Sequence, residues 1–268
     1  MEIKTVSILG CGWFGLPFAK TLVAHGFTVK GSTTSVDKLA QLRANGIDPF
    51  QINLNETTGL PADFFTTDVL FISVPPRAKT AEAAQYPDKL RKVAEAAKNV
   101  KQIVFISSTG VFEDGNFEVD ETADTNPEAN KALYEAEQLF KELNATIIRF
   151  AGLIGPNRNL AKFFAGKTDV PNGKAPINLI ALEDCIGLCL QLLKTQQFSE
   201  IYHAVAPHHP SRKEFYTKLC EVSGMEKPAF KDELTNWKQI NSINVPNKLA
   251  YDFKVKNWFY WMGNSPVL

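Results

Sequence analysis

Six residues near the amino end, Gly10-Cys11-Gly12-Trp13-Phe14-Gly15, have the types and spacing to hold a pyrophosphate. A GxGxxG string alone is a weak signal. Here it follows the apolar run Thr5-Val6-Ser7-Ile8-Leu9 and opens a helix-like stretch at 16–25, which is the context the motif needs. Gly10 permits a tight turn, Gly12 lets the backbone approach a pyrophosphate, and Gly15 lets the helix pack close to the strand. The helix start then offers unpaired amides and a partial positive charge to phosphates. The alternative is a glycine-rich turn with no ligand.

The next strand, Phe27-Thr28-Val29-Lys30, runs into Gly31-Ser32-Thr33-Thr34-Ser35. An NAD site usually has an acid there, bonded to the ribose 2′-hydroxyl. Ser32 stands in its place, and Asp37 falls later, in the following helix. Ser32, Thr33, Thr34 and Lys38 suit a 2′-phosphate better, so NADP(H) is expected over NAD(H). The alternative is that this hydroxyl run only caps the next helix. Cys11, inside the loop, could carry a lowered thiol pKa at a helix start, but a small residue fitting the turn is the expected role.

These residues need a scaffold. The first half alternates strand-like and helix-like segments, as a parallel sheet with crossover helices does. Val69-Leu70-Phe71-Ile72-Ser73-Val74 and Gln102-Ile103-Val104-Phe105-Ile106 are continuous apolar runs, so strands buried on both faces are expected. Helices are expected over 36–44, 90–98 and 130–143, the last with an apolar stripe through Leu133, Ala136 and Phe140. Thr146-Ile147-Ile148-Arg149-Phe150 is a further strand. Beyond Gly152 the chain turns Gly-, Pro- and Asn-rich over 156–176, which suggests loops around a site. Helices follow at 182–193 and at Arg212–Val222, the second capped by Ser211 with Glu214 three residues on. A short strand at 201–205 lies between them. The last 45 or so residues are less regular and end in Trp258-Phe259-Tyr260-Trp261.

Val74 ends the 69–74 strand, and Pro75 and Arg77 follow it at the carboxyl edge of the sheet, where doubly wound folds bind ligands. Arg77 is a candidate for a substrate anion. His203, His208 and His209 do not make a metal site: adjacent histidines cannot easily chelate one ion, and no carboxylate or thiol is spaced to join them. Cys185 and Cys189 share a helix face and read as core. Glu113, Asp114 and Asp120 form an acidic loop, read first as a solvated turn.

The 29 Lys+Arg balance 29 Asp+Glu, so nothing electrostatic points to nucleic acid or to an anionic membrane. Hydrophobic residues at 44% and charged residues at 22% describe an ordinary globular chain. Its 268 residues fit one large domain or two sharing a core. No transmembrane run and no signal-peptide pattern are visible. Four cysteines without a CxxC pair suggest a reduced, cytoplasmic protein.

Four ordered segments together resemble the extended short-chain dehydrogenases/reductases, the NAD-dependent epimerase/dehydratase family, in its small atypical branch. They are Ser107-Ser108-Thr109-Gly110-Val111-Phe112, then Val119-Asp120-Glu121-Thr122 with Asn126-Pro127, then Arg149 to Arg158, then Asn178 to Asp184 with Ala181 where a His is common. The resemblance covers about the first 225 residues. It implies an NAD(P)-bound site acting at a sugar-like hydroxyl or carbonyl. Ser108 matches the Ser/Thr that bonds the reacting oxygen. Ser107, Phe150 and Gly152 would lie near the nicotinamide, and Asn157 and Arg158 fall in the segment that flanks substrate.

The family's Tyr and Lys are written YxxxK, one helical turn apart on one face. Here Tyr134 is followed four residues later by Gln138, and Lys131 precedes Tyr134 by three. The usual pair is absent, and Lys131 and Tyr134 are the nearest substitutes.

The expectation is therefore an α/β protein with a Rossmann-type doubly wound parallel sheet and a small C-terminal substrate lobe. Residues 1–152, with 177–206 returning, form the dinucleotide-binding core; 153–176 and 207–268 form the lobe. The expected function is an NAD(P)(H)-binding oxidoreductase or epimerase/dehydratase-like protein on a small hydroxylated or nucleotide-sugar-like substrate. The alternative is a catalytically silent NAD(P)-binding module with a regulatory or redox-sensing role. The resemblance also makes the 130–143 helix a candidate homodimer face.

Overall fold

The computed structural model describes residues 2–56, 59–76 and 84–264. In chain order the elements are β1 (Thr5–Leu9), α1 (Gly15–Ala24), β2 (Thr28–Thr33), α2 (Asp37–Ala44), β3 (Asp48–Gln51), α3 (Ala62–Phe65), β4 (Val69–Ile72), α4 (Tyr86–Ala96) and β5 (Gln102–Ser108). Then come β6 (Phe117–Val119), α5 (Lys131–Lys141), β7 (Thr146–Phe150), β8 (Gly152–Ile154), β9 (Leu179–Ala181), α6 (Leu182–Thr195) and β10 (Ile201–Ala204). The chain continues through α7 (Arg212–Val222), β11 (Lys238–Ile240), α8 (Asn244–Lys248) and α9 (Trp258–Asn264).

Seven strands form one sheet in the order β10-β7-β5-β4-β1-β2-β3. The pairs β1–β2, β2–β3, β1–β4 and β4–β5 are parallel. The order reverses between β1 and β4, so a crevice opens at the carboxyl ends of those strands. This is the doubly wound α/β fold. No helix among the described residues is long and apolar enough to cross a membrane.

The chain divides into two units. The first comprises 1–111, 125–149 and 189–202. Its core is the sheet interior, with β4 buried at every position. Phe18 of α1 meets Phe71 edge-on at 4.8 Å, and Phe105 stacks on Phe140 of α5 at 4.7 Å. Asp68 ties the start of β1 down, accepting from the backbone of Lys4 and Thr5 at 3.0 Å each and from Lys101 at 2.8 Å. Helix α4 starts at Tyr86 rather than near 90, because Pro87 in the first turn lacks only an N–H that has no helical partner there. The short edge strand β3 has no periodic signal in the sequence, and its Pro49 is tolerated because the strand lies at the sheet edge.

The second unit comprises 112–124, 150–188 and 203–268. Two small parallel pairs, β8–β9 and β6–β11, frame it. Ile154, Leu179, Phe215, Leu219, Val255 and Trp258 are among the residues of its core. Helix α7 carries the expected capping box, with Ser211 and Glu214 each bonded to the other's backbone N–H. Asp184 pins the irregular tail, accepting from the Tyr251 hydroxyl and the Lys254 N–H at 2.8 Å and from the Val255 N–H at 3.1 Å.

Candidate dinucleotide site

Strands β1, β2 and β4 run side by side and place the glycine loop at their carboxyl ends. Gly10 sits at φ +102°, and its N–H donates to Ser32 Oγ at 2.9 Å. Ser73 donates to the Gly10 carbonyl at 2.8 Å. A Cβ on Gly15 would lie 2.2 Å from that same carbonyl oxygen, so the fold itself demands glycine there. Gly12 differs. A Cβ on it would meet nothing within 4 Å, and its φ is not positive. The protein does not need glycine at this position for its own packing.

A cavity of about 260 Å³ opens over the loop. Of the residues expected at the cofactor, Gly10, Gly12, Ser32, Thr33, Thr34, Lys38, Val74 and Pro75 line it. Trp13, Phe14 and Gly15 are not among the lining; Phe14 instead stacks on Phe18 at 5.3 Å. Asn53, Asn55, Ser73, Tyr86 and Lys89 line it without having been singled out in the sequence. Among the described residues, the lining contains two lysines and no carboxylate. Lys89 and Tyr86 belong to the first turns of α4, a start the periodicity placed too late.

The hydroxyl run is not a helix cap: α2 begins after Val36 with no side-chain cap bond. Ser32 is buried and its hydroxyl accepts from the loop. Thr33 Oγ1 accepts from the Ser35 N–H at 3.2 Å. Thr34 and Lys38 are the exposed members. Tyr86 donates to the Val74 carbonyl at 2.8 Å, and burial pushes its phenol well above the usual range. Burial also raises the Cys11 thiol to about 12, which leaves it protonated and unreactive at neutral pH.

At the end of β5, Ser107 donates to Glu137 Oε1 at 2.6 Å. Ser108 is half-buried, and its Oγ accepts from the Gly110 N–H at 3.1 Å. That contact occupies a lone pair and leaves the hydroxyl proton available to an oxygen. Lys131 is exposed, with its ammonium 4.0 Å from Glu135. Tyr134 is half-buried, and its hydroxyl makes no hydrogen bond among the described residues. Arg149 is buried against Glu137.

In the second unit, Phe150 ends β7 and is buried, while Gly152 opens β8 and is exposed. Asn157, at φ +60°, and Arg158 are exposed in the turn after β8, and the Arg158 N–H donates to the Gly155 carbonyl at 2.9 Å. Arg77 lies outside the described residues. The histidines serve the fold. His203 Nδ1 lies 3.0 Å from the Asn241 carbonyl, and His209 Nδ1 lies 2.9 Å from the Ile177 carbonyl. His208 Nδ1 accepts the Trp258 N–H at 3.0 Å. In the acidic loop, Asp114 pairs with Lys238 at 3.2 Å and Asp120 accepts from Thr122.

Residues 10–182 match a family model described as NAD(P)H-binding. The chain is 34% identical over 265 residues to protein YeeZ of Escherichia coli (strain K12), covering 94% of this chain and 96% of that relative. Among solved structures it is similar to MoeE5 in complex with UDP-glucuronic acid and NAD, at a TM-score of 0.78, 14% identity and 98% and 97% coverage of the two chains. It is likewise similar to UDP-glucuronic acid 4-epimerase from Bacillus cereus in complex with NAD, at a TM-score of 0.75, 16% identity and 97% and 98% coverage. At these identities the structural likenesses show the fold.

Proposed function

Because the chain belongs to the NAD(P)H-binding family, in the YeeZ-like branch of the extended short-chain dehydrogenases/reductases, we propose that its glycine loop binds a nicotinamide dinucleotide. NADP(H) is the preferred form. The protein acts as an oxidoreductase or epimerase on a small hydroxylated or nucleotide-sugar-like substrate.

Gly12 carries this proposal. Gly10 and Gly15 are explained by the fold; Gly12 is explained by a ligand whose phosphates occupy the open space beside it. The preference for NADP(H) rests on the lining: Thr34, Lys38 and Lys89 are present, and among the described residues no acid lines the cavity to bond a ribose hydroxyl. When bound, the nicotinamide supplies hydride transfer. The protein's own residues do the rest. The amides and dipole of α1 hold the pyrophosphate. Ser108, with its lone pair engaged by Gly110, donates a hydrogen bond to the reacting oxygen and stabilises charge there. Tyr134 and Lys131 complete the proposed set as acid and neighbouring cation, and Asn157 and Arg158 are the proposed substrate contacts. MoeE5 holds UDP-glucuronic acid together with NAD, which supports the nucleotide-sugar-like class.

Titration with NADPH and NADH tests the proposal. NADPH is expected to bind at least about tenfold tighter, a gap of ~1.4 kcal/mol. Tighter binding of NADH would remove the 2′-phosphate assignment, and no binding of either at millimolar levels would remove the dinucleotide assignment itself. A second reading, a silent NAD(P)-binding module, is favoured by the missing YxxxK pair. NADPH binding with no turnover across a broad panel of carbonyl compounds and nucleotide sugars would establish it over the enzyme.

A further inference from the structure

The second unit contains a cavity that the dinucleotide assignment does not use. It holds about 720 Å³ between the start of α6, the Gly155-Pro156 turn and α9. Leu182 and Ile186 of α6 and Trp261 of α9 give it apolar walls. Trp261 is fixed in place, because its indole N–H donates to Glu183 at 2.8 Å. That bond also engages Glu183, the one carboxylate in the lining among the described residues. Tyr260, beside it, is 75% exposed, although Trp258 in the same helix is fully buried. A large aromatic side chain left in water at the edge of an apolar cavity is surface available to a ligand.

Two lysines reach this cavity and they are not equivalent. Lys256 is paired with Asp252 at 2.6 Å. The Lys254 backbone N–H is held by Asp184, but its ammonium has no carboxylate or carbonyl partner among the described residues. An unpaired cation at an apolar pocket of ligand size is a specific combination: the walls favour a flat apolar body, and the cation favours one negative charge.

We propose that this cavity is a second small-molecule site, taking an apolar or aromatic ring that carries one anionic group. The ring packs against Leu182, Ile186 and Trp261, and the anion meets Lys254. The site is built from the second unit alone and stands whether or not the glycine loop binds a dinucleotide.

The test uses the whole chain and two fluorescent probes. One is 8-anilinonaphthalene-1-sulfonate, an aromatic anion; the other is N-phenyl-1-naphthylamine, which lacks the charge. The sulfonate is expected to bind once per chain, with energy transfer from tryptophan that falls in Trp261→Phe. Lys254→Met keeps the aliphatic stem and the backbone bond to Asp184, and should weaken sulfonate binding about tenfold or more. It should leave the uncharged probe unaffected, and Lys256→Met should leave both unaffected. Equal binding of the sulfonate to wild type and Lys254→Met would overturn the proposal. So would its displacement by NADPH, which would place the probe at the glycine loop. So would a dimer broken by Tyr260→Ala, since a second copy would then cover this face.

Discussion

Arg149 on β7 donates to both carboxylate oxygens of Glu137 on α5, at 3.0 and 2.8 Å, and both side chains are buried. Ser107 adds a third donor to the same carboxylate at 2.6 Å. A buried ion pair survives only when its remaining lone pairs are satisfied, and here the β5 serine does that. The pair therefore fixes α5 against the end of β5, where Ser108 follows directly.

Breaking this pair from one side leaves an uncompensated buried charge. Glu137→Met or Arg149→Met should each lower the unfolding free energy by about 3–5 kcal/mol. The double replacement Glu137→Met with Arg149→Met should cost less than the sum of the two single changes. Urea denaturation of the four proteins measures the coupling.

Gly12→Ala and Gly15→Ala should separate binding from folding. The added methyl of Gly12→Ala enters open space, so thermal stability should hold or rise by about 0.4–1 kcal/mol, as for a glycine at an ordinary φ. NADPH affinity should nevertheless fall at least about tenfold, ~1.4 kcal/mol. Gly15→Ala drives a methyl onto the Gly10 carbonyl and should lower both. Calorimetric titration beside thermal melts distinguishes the two patterns.

Lys38→Met should act on one cofactor only. Loss of a cation at the 2′-phosphate should weaken NADPH about tenfold while leaving NADH within about twofold. Added salt should shrink the NADPH advantage of the wild type, because Lys38 is exposed and its field is screened.

Asp68 sets a pH dependence. Lys101 first, and then the Lys4 and Thr5 amides, hold its carboxyl well below the usual carboxylate range. A depressed folded pKa gives stability that is present above the unfolded value of about 3.9 and is lost as pH falls below it. Asp68→Asn should therefore be destabilising at pH 7. Its deficit against wild type should close progressively as the pH is lowered from about 4. A deficit that stays constant down to pH 2 would show that packing, not charge, is what Asp68 supplies.

Local chemistry was legible in the sequence. The GxGxxG loop, the buried character of β4 and β5, and the capping box of α7 each depend on residues within a few positions of one another, and each formed where its pattern lay. That Gln138 rather than a lysine stands four residues after Tyr134 was legible for the same reason. The start of α4 and the strand β3 were not, because a Pro-initiated turn and a four-residue edge strand carry too little periodicity to stand out.

What only the tertiary structure decided is where side chains find their partners. Ser32 was expected at the ribose, and β1–β2 pairing turned its hydroxyl onto Gly10. Arg149 lies next to the last position of β7, and the packing of α5 buried it against Glu137. Lys89 joins Lys38 in one cavity lining because the sheet order brings β4 next to β1 and carries α4 with it. His208 became an acceptor for α9 through a contact fifty residues away. The sequence by itself determined which turns, caps and buried strands could form, since those energies are local. The pairing of charges and hydroxyls awaited the fold, since a buried polar group takes whichever partner the sheet order sets within hydrogen-bond reach.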